Sequence, residues 1–167
     1  MESHALSIIS GLLQSGYQPV IFTKNHRPLS SDLLSKCEIY SFATKFLPRL
    51  LEDYLFSCWL RHAKNHAKIT TCIGFCRNSE SDILFCGGTH RGYSSLRKNH
   101  IIYDRIVNRF EDRSYYRAKF ILPASTLISE ELETLHHVDS KKLVLAHPPF
   151  PTNQFTRFSD AERLKAR

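Results

Sequence analysis

The sequence Ile83–Tyr93, ILFCGGTHRGY, decides the fold, because an apolar run stops abruptly there in a glycine-rich turn. The four residues of Ile83–Cys86 predict a short buried strand. Gly87 and Gly88 follow at once, and a turn without Cβ atoms allows a ligand to come close to the backbone. The stretch therefore predicts a strand whose carboxyl end opens into a turn.

The loop after this strand is predicted to be a ligand site. Hydroxyl, imidazole, guanidinium and phenol groups crowd it, from Thr89, His90, Arg91 and Tyr93. Ligands of open α/β sheets bind outside the carboxyl ends of the strands, so these four residues and the two glycines are the first candidates for binding. The alternative that the residues leave open is a plain turn, with His90 and Arg91 on a solvated rim.

Helices and strands alternate along the rest of the chain. The spacing of apolar residues predicts helices over 3–14, 46–67, 101–119 and 125–137, and a further helix from 159. Short apolar runs predict strands over 19–23, 37–42, 69–75, 120–122 and 142–146. This order predicts a three-layer α/β/α, Rossmann-like domain with a mainly parallel sheet. Because the chain opens with a helix, the first strand usual in such a domain is expected to be lacking.

Two of the predicted helices carry details that the structure can test. Gly16 follows the first helix where a left-handed C-terminal cap is expected, and Ser125 is expected to cap the start of the helix over 125–137. The helix from about 101 is basic and aromatic, and its inward residues are predicted to be Ile102, Ile106, Phe110 and either Tyr115 or Tyr116. Its aromatic rings could instead stack on nucleic-acid bases, although helical spacing favours a core role.

Composition limits the classes of partner. The chain has 167 residues and a formal net charge of +7, which suits one domain with an anionic partner: nucleic acid, an acidic lipid surface or a phosphorylated metabolite. Lys and Arg are spread along the chain, which argues against a dedicated nucleic-acid arm. With no apolar run of about 20 residues and no signal-peptide pattern, we expect a cytoplasmic protein. The five cysteines are expected to be reduced.

Metal binding is not expected. His62, His66, Cys72 and Cys76 have a spacing that suggests zinc, but on a strand the two cysteines would lie about 13 Å apart, too far to share one ion. The two glutamates of 130–131 and Glu133 are expected to form a solvated helix face.

Several segments together resemble the N-terminal domain of family 4 (group 1) glycosyltransferases, which are two-domain GT-B enzymes. The resemblance is carried by RFEDRSYYRAKFILPAS at 109–125, SEEL at 129–132, KKLVLAHPP at 141–149 and Phe155. The stretch from Glu2 to Thr23 is similar to the family's first helix and second strand. Residues 1–155 would then form an incomplete acceptor-side domain, and 156–167 would lead into a missing C-terminal donor domain.

The resemblance implies transfer of a sugar from a nucleotide-sugar, used as co-substrate without a metal or other cofactor, to a saccharide or lipid-linked acceptor of the cell-envelope polysaccharide or lipopolysaccharide type. His90 is the best candidate for an acceptor, donor or catalytic contact, Arg91 could meet phosphate, and Ser125 would lie near the cleft. The fragment alone is expected to be inactive, and the protein could be peripheral at the inner face of the membrane. The alternatives are a non-catalytic basic binding module or partner subunit and, with less support, a nucleic-acid-binding α/β protein.

Overall fold

The computed structural model describes residues 2–24, 33–44, 47–95 and 102–147. In these ranges the helices are α1 (Glu2–Gln14), α2 (Arg49–His66), α3 (His90–Ser95), α4 (Ile102–Arg117) and α5 (Thr126–His136). The strands are β1 (Val20–Lys24), β2 (Glu38–Phe42), β3 (Ile73–Gly74), β4 (Ile83–Cys86) and β5 (Phe120–Pro123), and two 3₁₀ turns cover Leu34–Lys36 and Ser140–Lys142. The predicted helix from 159 and Phe155 lie outside the described residues.

All strand pairs in these ranges are parallel, which confirms the predicted α/β class. β1 pairs with β2, and β4 pairs with both β3 and β5, with Ile83 opposite Phe120. After α5 the chain passes beside β5, where Leu143 forms a parallel bridge with Ile121 and the amide of Val144 donates to the Ile121 carbonyl at 2.9 Å. The last predicted strand is thus reduced to a short contact along β5.

Local signals placed the helix ends correctly. Gly16 has a φ of +81°, and its amide donates to the Leu13 carbonyl at 3.1 Å, which closes α1 as a left-handed cap. Ser125 has extended backbone angles, and its hydroxyl accepts from the amide of Ile128 at 3.3 Å. Both predicted caps are confirmed.

The strand predicted over 69–75 is wrong in length, since only Ile73–Gly74 joins the ladder. The Cys72 amide donates to the Asp82 carboxylate at 2.9 Å rather than to a neighbouring strand. Beyond Gly74 the side chain of Asn78 ties the chain into a turn, donating to the Cys76 carbonyl at 3.0 Å. Polar side chains therefore bend the chain at both ends of a segment whose composition favoured an extended strand.

Within the described ranges, two clusters of buried side chains form the core. One lies between β4, β5, α4 and α5, and its buried members are Leu84, Cys86, Tyr115, Ala118, Ile121 and Leu132. The other lies where α2 covers β1 and β2, with Phe56, Leu60 and Cys72 buried and Phe22, Phe42 and Trp59 packed against them. Both clusters sit between helices and parallel strands, as the α/β order requires.

The inward face predicted for α4 is wrong by part of a turn. The helix buries Val107, Glu111, Ser114 and Tyr115, so of the predicted set Tyr115 does face inward. Ile102 and Ile106 are instead 74% and 39% exposed. The helix is turned toward Glu111, whose carboxylate bonds the first residue of α3, and a polar group with such a partner can occupy a core position.

Candidate functional site

Gly87 and Gly88 form an open surface directly after β4. Both are exposed, and a Cβ added at either would meet no atom within 4 Å. Cys86 lies opposite Pro123 in the ladder, so Gly87 and Ser125 lie at the same edge of the sheet. The structure therefore brings the predicted glycines and the predicted serine to the carboxyl ends of neighbouring strands, where ligands of parallel sheets bind.

The segment predicted as a loop after the glycines is helical, because α3 begins at His90. The His90 amide donates to both carboxylate oxygens of Glu111, at 3.0 and 2.8 Å. Glu111 is 1% exposed and also accepts from Nε of Arg77 at 2.9 Å. An internal carboxylate thus takes the position at the start of this helix that a bound anion would otherwise occupy.

Thr89 and Gly92 pack against the carboxylate of Glu131. The Thr89 hydroxyl donates to Oε2 of Glu131 at 2.7 Å and accepts from the Gly92 amide at 2.9 Å. A Cβ at Gly92 would lie 2.5 Å from the same carboxylate oxygen. The prediction that Glu131 belongs to a solvated face is therefore wrong, since the close approach of α3 to α5 brings Thr89 to it.

The side chains of His90 and Arg91 are also held by acids. Nε2 of His90 lies 2.8 Å from Oδ1 of Asp104. The Arg91 guanidinium donates to Oδ2 of Asp112 at 2.6 Å and to the Leu135 carbonyl. These partners fix both side chains against α4 and α5. A ligand that contacts either residue therefore meets a group that already has a hydrogen-bond partner.

His136 completes this polar network on the inner side. Its ring is fully buried, its Nδ1 lies 2.6 Å from Oδ1 of Asp112, and its Nε2 lies 3.7 Å from Oε2 of Glu111. The Tyr115 ring packs edge-on against it, with 4.9 Å between ring centroids. The network therefore joins α3, α4 and α5 into one rigid wall behind the glycines.

The groups that could serve as nucleophiles beside this wall are protonated at neutral pH. Burial raises the pKa of the Cys86 thiol and also that of the Tyr115 phenol. The Cys86 sulfur lies 3.6 Å from the Tyr115 oxygen and 3.5 Å from the Gly88 carbonyl oxygen. These contacts and the pKa directions indicate a structural role for both residues.

Tyr93 stands at the outer side of the site. Its ring is 52% exposed, and its centroid lies 6.3 Å from that of His90. The rings of His90 and Tyr93 are therefore neighbours on α3. An exposed glycine turn and an exposed aromatic ring are both features that can contact a flat or ring-shaped polar ligand.

Sequence reasoning missed the acids that hold the site, Asp104, Glu111, Asp112 and Glu131. The sequence gives one hint of these acids. The segment from Gly87 to Tyr93 contains a histidine and an arginine but no carboxylate that could pair with them. The described ranges contain no group of three or more His, Cys, Asp or Glu side chains arranged to hold a metal ion. Likewise, no helix in those ranges is both long enough and apolar enough to cross a bilayer.

The fold and the position of the site define an α/β protein with a candidate ligand site at the carboxyl edge of a parallel sheet. No protein-family model matches the chain. The chain is 32% identical over 158 residues to a protein of Burkholderia thailandensis described as a probable transglycosylase. The match covers 93% of this chain and 43% of that protein, so the chain spans less than half of its relative's length.

Proposed function

We propose that this chain is the acceptor-side domain of a GT-B glycosyltransferase of the family 4 type, which transfers a sugar from a nucleotide-sugar to a saccharide or lipid-linked acceptor. The observation that carries the proposal is the similarity to a probable transglycosylase over 93% of the chain. The parallel α/β fold supports it, because the sequence resemblance to this family implies the same architecture.

The acceptor is proposed to bind at the open edge formed by Gly87 and Gly88. The glycines would let a sugar ring approach the backbone, and the exposed ring of Tyr93 would supply an apolar face for stacking. His90 and Arg91, held by Asp104 and Asp112, would form the wall of the site and offer their remaining edges to hydroxyl or phosphate groups. Thr89, bonded to Glu131, would fix the turn.

Sugar transfer is proposed to require parts of the protein beyond these 167 residues. The chain corresponds to 43% of the relative, and in GT-B enzymes the nucleotide-sugar is held by the C-terminal domain. We therefore expect the 167-residue chain to bind acceptor saccharides and to transfer little or no sugar. Measurable sugar transfer from UDP- or GDP-hexoses by the purified chain would contradict this requirement.

The binding site can be tested by changing two exposed residues. Gly88→Ala fills open space, so it should leave the thermal midpoint unchanged and weaken saccharide binding. Tyr93→Ala removes an exposed ring and should also weaken saccharide binding. Saturation-transfer NMR with short lipopolysaccharide-core oligosaccharides measures the effect. Gly11→Ala is the matched control, since an added Cβ there also meets nothing within 4 Å, and it should bind like the unchanged chain.

The binding measurements either support this acceptor site or overturn it. Weaker binding by both variants, with Gly11→Ala unchanged, places the acceptor at the glycine edge. Equal binding by all four proteins, or no binding of any saccharide by the unchanged chain, overturns the assignment of this site.

A non-catalytic binding module is the second candidate. The observation in its favour is that carboxylates already hold the side chains of Thr89, His90 and Arg91, which suits a rigid binding surface better than proton transfer. The native protein purified from its own cells distinguishes the two. Turnover of a nucleotide-sugar supports the transferase, and saccharide binding without turnover supports the binding module.

A further inference from the structure

Two arginines lie near the glycine turn, and they are held in different ways. Arg91 engages both of its terminal nitrogens, since Nη1 donates to the Leu135 carbonyl and Nη2 to Oδ2 of Asp112. Arg77 is held instead through Nε, which donates to Oε1 of Glu111 at 2.9 Å. Within the described ranges, the terminal nitrogens of Arg77 make no hydrogen bond, and Glu111 is the only carboxylate paired with it. The anion contact that the sequence suggested for Arg91 therefore has a better candidate in Arg77.

Arg77 shares a carboxylate oxygen with the start of α3. Oε1 of Glu111 accepts from Nε of Arg77 and from the His90 amide, so both nitrogens lie within 3.0 Å of one atom. His90 follows the glycine turn after a single residue. Arg77 itself comes shortly after β3, and Gly87 directly after β4, which pairs with β3 in parallel. Arg77 therefore belongs to the carboxyl edge at which the acceptor is proposed to bind.

The guanidinium of Arg77 is fixed from the protein side and open toward solvent. The side chain of Glu111 is 2% exposed and that of Arg77 40%, and neither terminal nitrogen of Arg77 is buried. A guanidinium presents its N–H groups in a rigid fork that matches two oxygens of one phosphate or carboxylate. Because Nε is already held, an anion that binds to the terminal nitrogens costs little further side-chain freedom.

Other groups at this edge are less suited to an anion. The start of α3 is closed, because Glu111 already accepts from the His90 amide. Nε2 of His90 lies 2.8 Å from Oδ1 of Asp104, so an anion at this ring would meet a carboxylate. Of the two arginines, only Arg77 combines a fixed guanidinium with terminal nitrogens that have no partner in the described part of the chain.

We propose that Arg77 binds an anionic group of the acceptor, a phosphate or a carboxylate, through its two terminal nitrogens. This inference rests on the proposed function, which places the acceptor at the glycine edge. It narrows the acceptor to saccharides that carry such a group next to the ring held by Gly87 and Gly88. Glu111 is then a positioning residue, because it fixes the guanidinium without touching the ligand.

Three ligands that share one ring and differ at one carbon test the proposal. They are glucose, glucose phosphorylated on its primary hydroxyl, and glucuronic acid, each titrated against the 167-residue chain and followed by NMR. The better of the two anions should bind about tenfold more tightly than glucose, because charge-assisted hydrogen bonds are stronger than neutral ones. In Arg77→Lys this gain should fall to about threefold or less, since an ammonium keeps the charge but cannot form the fork. The anion with the larger gain identifies the acidic group.

Arg91→Lys is the matched control, because it makes the same change at an arginine whose terminal nitrogens are already engaged. It should keep the gain of the unchanged chain. The gain is a ratio of two affinities of one protein, so a general weakening of saccharide binding does not alter it. If circular dichroism shows that Arg77→Lys does not fold, the Nε–H signal of Arg77 is followed in the unchanged chain. It should shift with the anions and not with glucose, and an unshifted signal would contradict the contact.

Two results would overturn the anion contact while leaving the acceptor site intact. One is an equal gain in the unchanged chain, Arg77→Lys and Arg91→Lys, and the other is equal affinity of the unchanged chain for all three ligands. In both cases a loss of glucose binding in Gly88→Ala would still support the glycine edge. If none of the three ligands binds, the anion contact is wrong, and the oligosaccharide measurement decides separately whether the proposed function survives.

Discussion

The sheet of β3, β4 and β5 and the pair of β1 and β2 share parallel pairing but differ in how completely they are covered. In β4, Leu84, Phe85 and Cys86 are all buried, whereas every residue of β1 is only half-buried. Parallel strands are usually covered on both faces. The β3–β5 sheet meets that condition better, so we expect the free energy of unfolding to depend mainly on this part of the molecule.

The difference follows from what packs on each sheet. Ile121 of β5 and Leu132 of α5 have no exposed surface, and they belong to a mostly aliphatic cluster between strands and helices. The β1–β2 pair is covered by rings instead: Phe42 stacks on Trp59 of α2 with 5.4 Å between centroids. The same parallel arrangement is thus held by deep burial in one region and by an aromatic layer nearer to solvent in the other.

The largest expected effect compares two isoleucines, one in each sheet. Ile121→Ala should lower the free energy of unfolding by about 2–5 kcal/mol, because it leaves a cavity at a fully buried position. Ile39→Ala, at a half-buried position of β2, should cost roughly half as much. Urea unfolding followed by circular dichroism measures both. Equal losses would show that the two regions are covered alike, and Ile121→Val, costing about 1 kcal/mol, serves if the alanine variant does not fold.

A second comparison sets a buried carboxylate against a more exposed one. Glu111→Gln should destabilise the protein by about 2 kcal/mol, because the amide group replaces one of two oxygens that accept from the His90 amide and weakens the bond with Arg77. Glu52 pairs with Lys24 beside β1 at 3.5 Å, and Glu52→Gln should cost less than about 1 kcal/mol. Urea unfolding measures the loss of stability in both variants. A larger loss for Glu52→Gln would reverse the ranking of the two regions.

The smallest expected effect concerns acids between the two regions. Burial alone would raise the pKa of the Glu80 and Asp82 carboxyls, but the hydrogen bond from Arg61 to Glu80 and those from the Cys72 amide and Lys119 to Asp82 outweigh it, so both pKa values lie below their usual range. Their stabilisation is therefore fully present above the unfolded pKa values and is lost as the pH falls through the lower folded ones.

Urea midpoints at about pH 6 and about pH 3 measure this loss. Asp82→Asn should lose less stability than the unchanged protein between the two pH values, by up to about 1 kcal/mol. An equal loss in both proteins would show that Asp82 does not contribute to the acid sensitivity.

Much of the fold was predictable from neighbouring residues alone. The α/β order, α1 with its cap at Gly16, and α5 with its cap at Ser125 agree with the structure. The carboxyl edge of β4 was predicted as the place of a ligand site, and the resemblance implied that Ser125 lies near it; in the structure β4 and β5 are neighbours, with Cys86 opposite Pro123. Binding by these residues stays a prediction.

Three of the errors have one cause in common. The 69–75 strand, the face of α4 and the exposure of Glu131 all depend on a hydrogen bond between distant residues: Cys72 with Asp82, His90 with Glu111, and Thr89 with Glu131. Hydrophobic periodicity cannot predict that a polar residue is buried, because the hydrogen-bond partner that allows the burial lies on another element.

The sequence by itself determined most of the elements of this protein and the edge at which a ligand is expected. Periodicity, capping residues and the glycine pair act over a few positions, so they are visible without the fold. Only the tertiary structure decided that Glu111 closes the start of α3 from 21 residues away and that α4 turns its arginines and isoleucines outward. Those outcomes depend on which charges meet across packed helices, and that is fixed only when the helices are assembled.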